Sequence, residues 1–205
     1  GGTGAGSCIF MRPSQRGVVC EAVRPRSDAY DQAVRDIDAL IDRTNCTSFF
    51  LDVGSNIGVQ VRKLYEPHRY PASPIESMFA AAFGPPPRCA VCALSFEPNP
   101  KHTARLTTLS SRLAAAGAGV LVLHAAAAES NGALTFERAG NARLEDGFHA
   151  TVAGGAPAAG SVTVPTLRLS GLIQHVAKRL RRSSGRIAMK MDVEGGEGRG
   201  GPDLI

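Results

Sequence analysis

The first segment that could do chemistry is a glycine-rich stretch, Asp52-Val53-Gly54-Ser55-Asn56-Ile57-Gly58. It follows a short apolar run and precedes a segment of helical character, so it is expected to form the turn between a strand and a helix. Glycine tolerates positive φ and has no Cβ, which lets a ligand approach the backbone closely. The N–H groups and the dipole at the start of the following helix would face such a ligand.

The carboxylate of Asp52 helps to decide which ligand this turn would accept. It stands two residues before Gly54, where it would repel a pyrophosphate, and Asn56 breaks the GxGxxG pattern of nicotinamide-binding turns. A carboxylate at this place suits a cationic ligand. S-Adenosylmethionine carries a sulfonium and an α-amino group, and its carboxylate could use the N–H groups of the turn. The alternative is a tight strand-to-helix turn in which Asp52 is only a local cap.

A second candidate, Glu97, follows the next apolar run and is stiffened by Pro98 and Pro100. Ligands of open α/β sheets bind beyond the carboxyl ends of the strands. A carboxylate at that edge can accept hydrogen bonds from both hydroxyls of a ribose, because each of its oxygens is an acceptor. The alternative is a surface glutamate at a strand end.

A third group of candidates lies in Lys190-Met191-Asp192-Val193-Glu194. Alternate residues of a strand face the same side, so Lys190, Asp192 and Glu194 would lie together. A parallel strand that is covered on both faces is normally apolar, so three charges on one side must meet each other or a ligand. A salt bridge from Lys190 to a carboxylate is the structural alternative, and it is compatible with a functional role for Asp192 and Glu194.

The elements that would position these residues alternate between strands and helices. We predict strands at residues 48–53, 89–96, 120–125, 134–136 and 186–193, an edge strand at 162–164, helices at 28–41, 59–65, 101–116 and 169–181, and a helical turn at 77–83. We expect residues 138–160 to form a loop and residues 1–26 a linker or partly ordered arm. The pattern predicts an α/β, Rossmann-like, doubly wound and mostly parallel sheet with helices on both faces, formed by residues 27–205 and incomplete at the C-terminus.

Composition and charge narrow the class of protein. The chain has 205 residues, of which 43% are hydrophobic and 20% charged, as in one globular domain. The net charge of +5 is modest. We expect its densest cluster, residues 178–182, to be a solvated helix end rather than a phosphate-binding patch, because no aromatic residues interleave with the basic ones. We therefore predict no nucleic-acid partner, and no apolar run is long enough to span a bilayer.

Cysteine usage leaves the compartment open. Cys89 and Cys92 form a CxxC pair at the entry to a predicted strand, where we expect small buried apolar residues rather than a zinc or redox site. Asn45-Cys46-Thr47 is an N-glycosylation sequon, which leaves a secretory route open beside a cytoplasmic one.

Five motifs occur in a recognisable order: FLDVGSNIG, SFEPNP, AAAAESNGALTF, VPTLRL and MKMDVEGGE. In this order, over residues 48–197, the chain resembles the FkbM-type methyltransferases. The resemblance implies a class I methyltransferase fold with S-adenosylmethionine as cofactor. It also implies two sets of site residues: the cofactor would be held by Asp52, Gly54, Asn56, Gly58 and Glu97, and the methyl-transfer site would be faced by Asp192 and Glu194. Arg168, where the family commonly has Asp, and an end soon after residue 197 depart from the family pattern.

We expect the methyl group to go to a hydroxyl oxygen of a sugar or another small metabolite. The sulfonium is already a strong electrophile, so the protein must mainly align the acceptor and remove its proton, for which Asp192 or Glu194 is the candidate base. No motif for a required metal is present. Two alternatives stay open: a truncated or degenerate relative that no longer binds cofactor, and an NAD-dependent oxidoreductase. Cofactor binding, and preference for S-adenosylmethionine over NAD, would separate the three.

Overall fold

The computed structural model describes residues 28–136, 160–180 and 184–192, and the backbone of residues 137–138 and 148–150. The proposed arm at residues 1–26 lies outside the described residues, as do Glu194 and most of the loop proposed for residues 138–160. The described elements, in chain order, are α1 Asp28–Thr44, β1 Ser48–Val53, α2 Val59–Tyr65, α3 Ile75–Phe83, β2 Val91–Phe96, α4 Thr103–Ala115, β3 Gly119–Leu123, β4 Ala126–Ala128, β5 Gly132–Arg138, β6 Phe148–Ala150, β7 Val162–Arg168, α5 Leu169–Leu180 and β8 Ile187–Met191.

A four-stranded parallel sheet forms the centre of the fold, in the order β3-β2-β1-β8. Its register places Leu51 of β1 between Leu94 of β2 and Met189 of β8. Strands β1 and β2 consist almost entirely of buried residues, as expected of parallel strands that are covered on both faces. This sheet confirms the predicted α/β, Rossmann-like fold.

Alternation along the two central strands sends side chains to opposite layers of helices. Phe49, Leu51 and Leu94 share one apolar cluster with residues of α1 and α5. Phe50 and Ala93 belong to a second cluster with residues of α2, α3 and α4. Helices therefore cover both faces of the sheet, as predicted.

Helix α1 confirms the amphipathic pattern predicted for residues 28–41 and extends it by three residues. Its buried side chains are those with the expected helical spacing: Tyr30, Ala33, Ile37 and Leu40. On its outer side, Asp38 pairs with α5, lying 2.9 Å from His175 Nε2 and 3.2 Å from Arg179 Nε. A hydrogen bond with His175 and an ion pair with Arg179 thus connect two helices that pack on the same face of the sheet.

A second sheet, in the order β4-β7-β5-β6, was not predicted as a separate unit. Residues 162–164, predicted as an edge strand, pair only with β5 among the described strands, whereas residues 166–168 of the same strand, β7, also pair with β4. The strand also continues to Arg168, through Pro165, which lies opposite Ala133. Proline has no N–H to donate inside a strand, so the sequence pattern predicted a strand that ended before Pro165.

The cysteines differ from the prediction. Cys46 and Cys92 form a disulfide with a Cα–Cα distance of 5.7 Å, and Cys89 is an exposed free thiol. Of the CxxC pair, only Cys92 is buried as expected. The cause is sheet order: β1 and β2 are parallel neighbours, so the segment before β1 meets the start of β2. Within the described residues, no helix is long and apolar enough to cross a membrane.

Candidate functional site

The carboxyl ends of β1, β2 and β8 meet at one edge of the parallel sheet, here called the carboxyl edge. The N–H groups of Gly54 and Ser55 each donate to the carbonyl of Phe96 at 3.0 Å, which ties the end of β1 to β2. On the other side, the N–H of Asp192 donates to the carbonyl of Val53 at 3.0 Å. Residues of three strands are thereby held against one another where ligands of α/β sheets bind.

Glycine is required at the first position of the turn. Gly54 has φ 76°, and a Cβ there would overlap the carbonyl oxygen of Asp192. Asn56 has φ 49°, a left-handed conformation that asparagine tolerates better than most residues. Gly58 has φ 78° and lies against Leu106 and Leu109 of α4 rather than at the carboxyl edge. The turn is therefore shaped by close packing at both of its glycines.

Four N–H groups of the turn already donate to acceptors within the protein. Those of Gly54 and Ser55 bond to β2, and that of Asn56 donates to Glu97 Oε2 at 2.6 Å. Gly58 N–H donates to the carbonyl of Ser55 at 2.8 Å. An anionic group would have to displace these bonds, so the turn is not arranged as a phosphate cradle.

Asp52 has a buried carboxylate that lacks hydrogen-bond partners among the described residues. It is 0% exposed, and neither of its carboxyl oxygens has a hydrogen-bond partner among the described residues. The hydroxyl of Ser55 donates to the main-chain carbonyl of Asp52, at 2.7 Å, rather than to the carboxylate. Burial raises the pKa of Asp52 to about 6, against the opposing effect of Lys190.

Lys190 connects the charged groups of the carboxyl edge. Its Nζ lies 3.8 Å from Asp52 Oδ1 and 3.1 Å from Asp192 Oδ2, and it donates to the carbonyl of Gly54 at 3.1 Å. The salt bridge considered for Lys190 in the sequence is therefore present. Asp192 keeps 70% of its side chain exposed, so it faces solvent at this edge.

Glu97 is also buried, with 6% exposure, but it has partners. Its Oε2 accepts from Asn56 N–H at 2.6 Å and its Oε1 from Asn99 N–H at 2.8 Å. Burial raises the pKa of Glu97, and these two hydrogen bonds oppose the rise. Each carboxylate oxygen has a second lone pair, so the side chain can still accept two further hydrogen bonds.

Asn99 is a positioning residue that the sequence reasoning missed. It is buried, and its Oδ1 accepts from Lys101 N–H at 3.1 Å, which caps the short 3₁₀ helix Pro100–His102. Because its own N–H binds Glu97, the cap and the carboxylate are fixed together. An asparagine directly before a proline at a helix start was the available signal.

An open cavity of about 640 Å³ lies between α2 and α4 and is also lined by Ile57 of the glycine-rich turn. Its lining includes Arg62, Arg69, Arg105 and Arg112. Three of these arginines pair with Glu66: Arg112 at 2.6 Å, Arg62 at 3.2 Å and Arg69 at 3.4 Å. The cavity thus has arginines in a partly apolar lining, and their charge is partly balanced by Glu66.

The structure brings Asp52, Gly54, Asn56, Glu97 and Asp192 together at the carboxyl edge, with Gly58 one turn away. No group of three or more possible metal ligands is found in the part of the chain that the structure describes. Comparison with known protein families, characterised proteins and solved structures finds no match. The likeness to FkbM-type methyltransferases therefore stays a hypothesis that depends on the motifs.

Proposed function

We propose that the carboxyl edge binds S-adenosylmethionine and that this chain belongs to a methyltransferase acting on a hydroxyl of a sugar or another small metabolite. The observation that carries the proposal is the carboxylate of Asp52. It is fully buried at a strand end, and its oxygens accept no hydrogen bond from any described residue. A buried carboxylate without hydrogen-bond donors is costly, and a ligand with cationic or N–H groups would remove that cost.

The groups of the carboxyl edge match the groups of this cofactor. Its α-ammonium and sulfonium are positive, as the environment of Asp52 requires. The two ribose hydroxyls are donors, and Glu97 has one remaining lone pair on each oxygen. Lys190 is the cation at the same edge that could meet the cofactor carboxylate, since the N–H groups of Gly54, Ser55 and Asn56 bond within the protein.

The same features disfavour NAD. A pyrophosphate needs free N–H groups at a glycine-rich turn, and those of Gly54, Ser55 and Asn56 are engaged. The carboxylates of Asp52 and Asp192 flank the turn and would repel phosphate oxygens. A cationic ligand gains from the same two charges.

When bound, the cofactor supplies an electrophilic methyl group. The part left to this chain is to orient the acceptor hydroxyl and take its proton. Asp192 suits that role by position, because its carboxylate is exposed at the carboxyl edge and lies 3.1 Å from Lys190. Glu194 stays a second candidate for the base.

Calorimetric titration of the 205-residue chain with S-adenosylhomocysteine, with NAD as a control, tests the proposal. We expect binding of the first and none of the second. Glu97→Gln should weaken binding about 10- to 100-fold, by about 1–3 kcal/mol, because a charge-assisted acceptor is lost. Asp42→Asn is the matched control, since Asp42 is an exposed carboxylate of α1, and it should bind as the wild type does.

The outcomes separate the alternatives. A cooperatively folded chain that binds neither ligand would be a relative that has lost its cofactor, and binding of NAD alone would identify an oxidoreductase. Unchanged affinity in Glu97→Gln would remove Glu97 from the site. In a preparation that transfers methyl groups, Asp192→Asn should lower the transfer rate more than the cofactor affinity, and normal turnover would exclude Asp192 as the base.

A further inference from the structure

The opposite edge of the parallel sheet carries a feature that the proposed function does not use. Between α1 and β1 lies Asn45-Cys46-Thr47. Asn45 and Thr47 are exposed, and Cys46 between them is buried. An asparagine followed two residues later by threonine is an acceptor sequence for N-linked glycans when the middle residue is not proline. No other asparagine of the chain has serine or threonine at that distance.

The residue in the middle of this sequon reports on redox environment. Cys46 is bonded to Cys92 of β2 across 46 residues of chain, and both residues are buried. Disulfides of this kind persist in oxidising compartments and are rare where glutathione and thioredoxin keep thiols reduced. N-Linked glycans are added in such an oxidising compartment. The sequon is a property of sequence and the disulfide a property of packing, so the two observations are independent.

We propose that Asn45 is an N-glycosylation site and that this fold, with its Cys46–Cys92 disulfide, forms in the oxidising lumen of the secretory pathway. Asn45 directly follows the last residue of α1, has φ 51°, and donates its N–H to the carbonyl of Ile41 at 2.8 Å. Asparagine is common at such a left-handed helix end for conformational reasons alone. Those reasons do not account for a hydroxyl residue at position 47 or for an oxidised Cys46.

The position of Asn45 is compatible with a glycan on a working protein. Asn45 precedes the amino end of β1, whereas Asp52 and Gly54 lie at its carboxyl end. A strand rises about 3.3 Å per residue, so the six residues of β1 separate the two ends by roughly 20 Å. A glycan on Asn45 would therefore leave the carboxyl edge open. The inference does not depend on the proposed function.

Translation of the full chain, preceded by a secretory leader, in the presence of endoplasmic-reticulum microsomes tests the acceptor site without requiring a folded product. We expect a single glycan on the translocated chain, removed by peptide-N-glycosidase F. Asn45→Gln and Thr47→Ala should both lack the glycan, and Thr47→Ser, which keeps the hydroxyl, should retain it. A protease-protected wild-type chain without glycan, or a glycan that persists in Thr47→Ala, would overturn the acceptor assignment.

Peptide mapping of the secreted protein without reduction tests the second half of the proposal. We expect the peptides of Cys46 and Cys92 to be joined, and Cys89 to react with an alkylating reagent. Alkylation of both Cys46 and Cys92 without prior reduction would overturn it. In a separate titration, Asn45→Gln should bind S-adenosylhomocysteine within twofold of the glycosylated wild type. A loss of cofactor binding in all forms would then count against the proposed function and not against the glycan.

Discussion

Two buried carboxylates, Asp52 and Glu66, lie in regions of opposite character. Glu66, at the end of α2, is contacted by Arg62, Arg69 and Arg112, and hydrogen bonds from Arg112 lower its pKa to about 2. Asp52, at the carboxyl edge, accepts no hydrogen bond from the described residues, and burial raises its pKa to about 6. The two residues differ in whether the protein itself supplies hydrogen-bond donors to the carboxylate.

The difference separates a structural carboxylate from a candidate binding group. The arrangement of Glu66 is complete and favours the folded state at neutral pH, whereas the ionised form of Asp52 costs stability there. Proteins that break a rule of good packing tend to do so at functional sites. Asp52 breaks such a rule at the edge where ligands of parallel sheets bind, and Glu66 does not.

The largest expected effect comes from adding one carbon beside Asp52. Gly54→Ala places a Cβ against the main-chain oxygen of Asp192, and we expect the free energy of unfolding to fall by about 3–5 kcal/mol, from left-handed strain plus overpacking. Gly58→Ala has nearly the same φ but meets the side-chain tips of Leu106 and Leu109, which can rotate. Its loss should be about 1–3 kcal/mol.

Urea unfolding at pH 7 measures both losses. Gly117→Ala is a control for conformation alone, because Gly117, at the end of α4, has φ 84° and a Cβ there would contact nothing within 4 Å. Equal losses in Gly54→Ala and Gly58→Ala would mean that the main chain after β8 can shift away from the added Cβ as easily as a leucine side chain can rotate. The carboxyl edge would then be a soft region rather than a packed one.

The second prediction concerns the sign of the pH dependence at Asp52. Its folded pKa of about 6 exceeds the ordinary value of 3.8, so the folded state holds a proton that the unfolded state has released. Wild-type stability therefore falls as pH rises from about 4 to about 6. Asparagine does not titrate. The free energy of unfolding of Asp52→Asn, relative to wild type, should increase by about 2–3 kcal/mol from pH 4 to pH 7.

Urea unfolding of Asp52→Asn and wild type at pH 4, 5.5 and 7 measures this change, and every titrating group that they share cancels in the difference. The absolute offset between the two proteins is not needed, since an amide at position 52 brings hydrogen-bonding demands of its own. A difference that stays constant across the range would give Asp52 an ordinary pKa, and the contrast with Glu66 would disappear.

The fold was largely predictable because local signals coincide at its centre. The boundaries of β1 and α2 agree with those predicted, since the turn from Gly54 to Gly58 marks both of them. The second sheet was not predictable in the same way. Strands β4 and β6 have three residues each, too few to show a periodicity, and β4 pairs with the distant β7.

The site was predictable in its positions but not in its hydrogen bonds. Placing Asp52, Glu97 and Asp192 at strand ends needs only the alternation of elements and the rule that parallel strands share a carboxyl edge. That Glu97 accepts from Asn56 and Asn99 depends on the conformation of two loops. The pairing of Cys46 with Cys92 depends on which strands are neighbours, which the sequence did not specify.

The smallest expected effect concerns Glu66, the buried carboxylate whose hydrogen-bond partners are supplied by the protein. The folded pKa of Glu66, about 2, lies below its ordinary value of 4.5, so its contribution to stability is present above pH 4.5 and is lost as pH falls toward 2. Glu66→Gln should lower the free energy of unfolding at pH 7 by about 1–2 kcal/mol, a modest loss because Arg69 and Arg112 are about half exposed. The deficit should shrink as pH falls from 5 to 2.5, the opposite trend to that of Asp52→Asn.

Arg69→Ala, the control, should lower the free energy of unfolding by at most about 0.5 kcal/mol, since Arg62 and Arg112 keep their bonds to Glu66. If Arg69→Ala cost as much as Glu66→Gln, Glu66 would depend on its longest and most exposed ion pair, and its surroundings would be nearly as incomplete as those of Asp52.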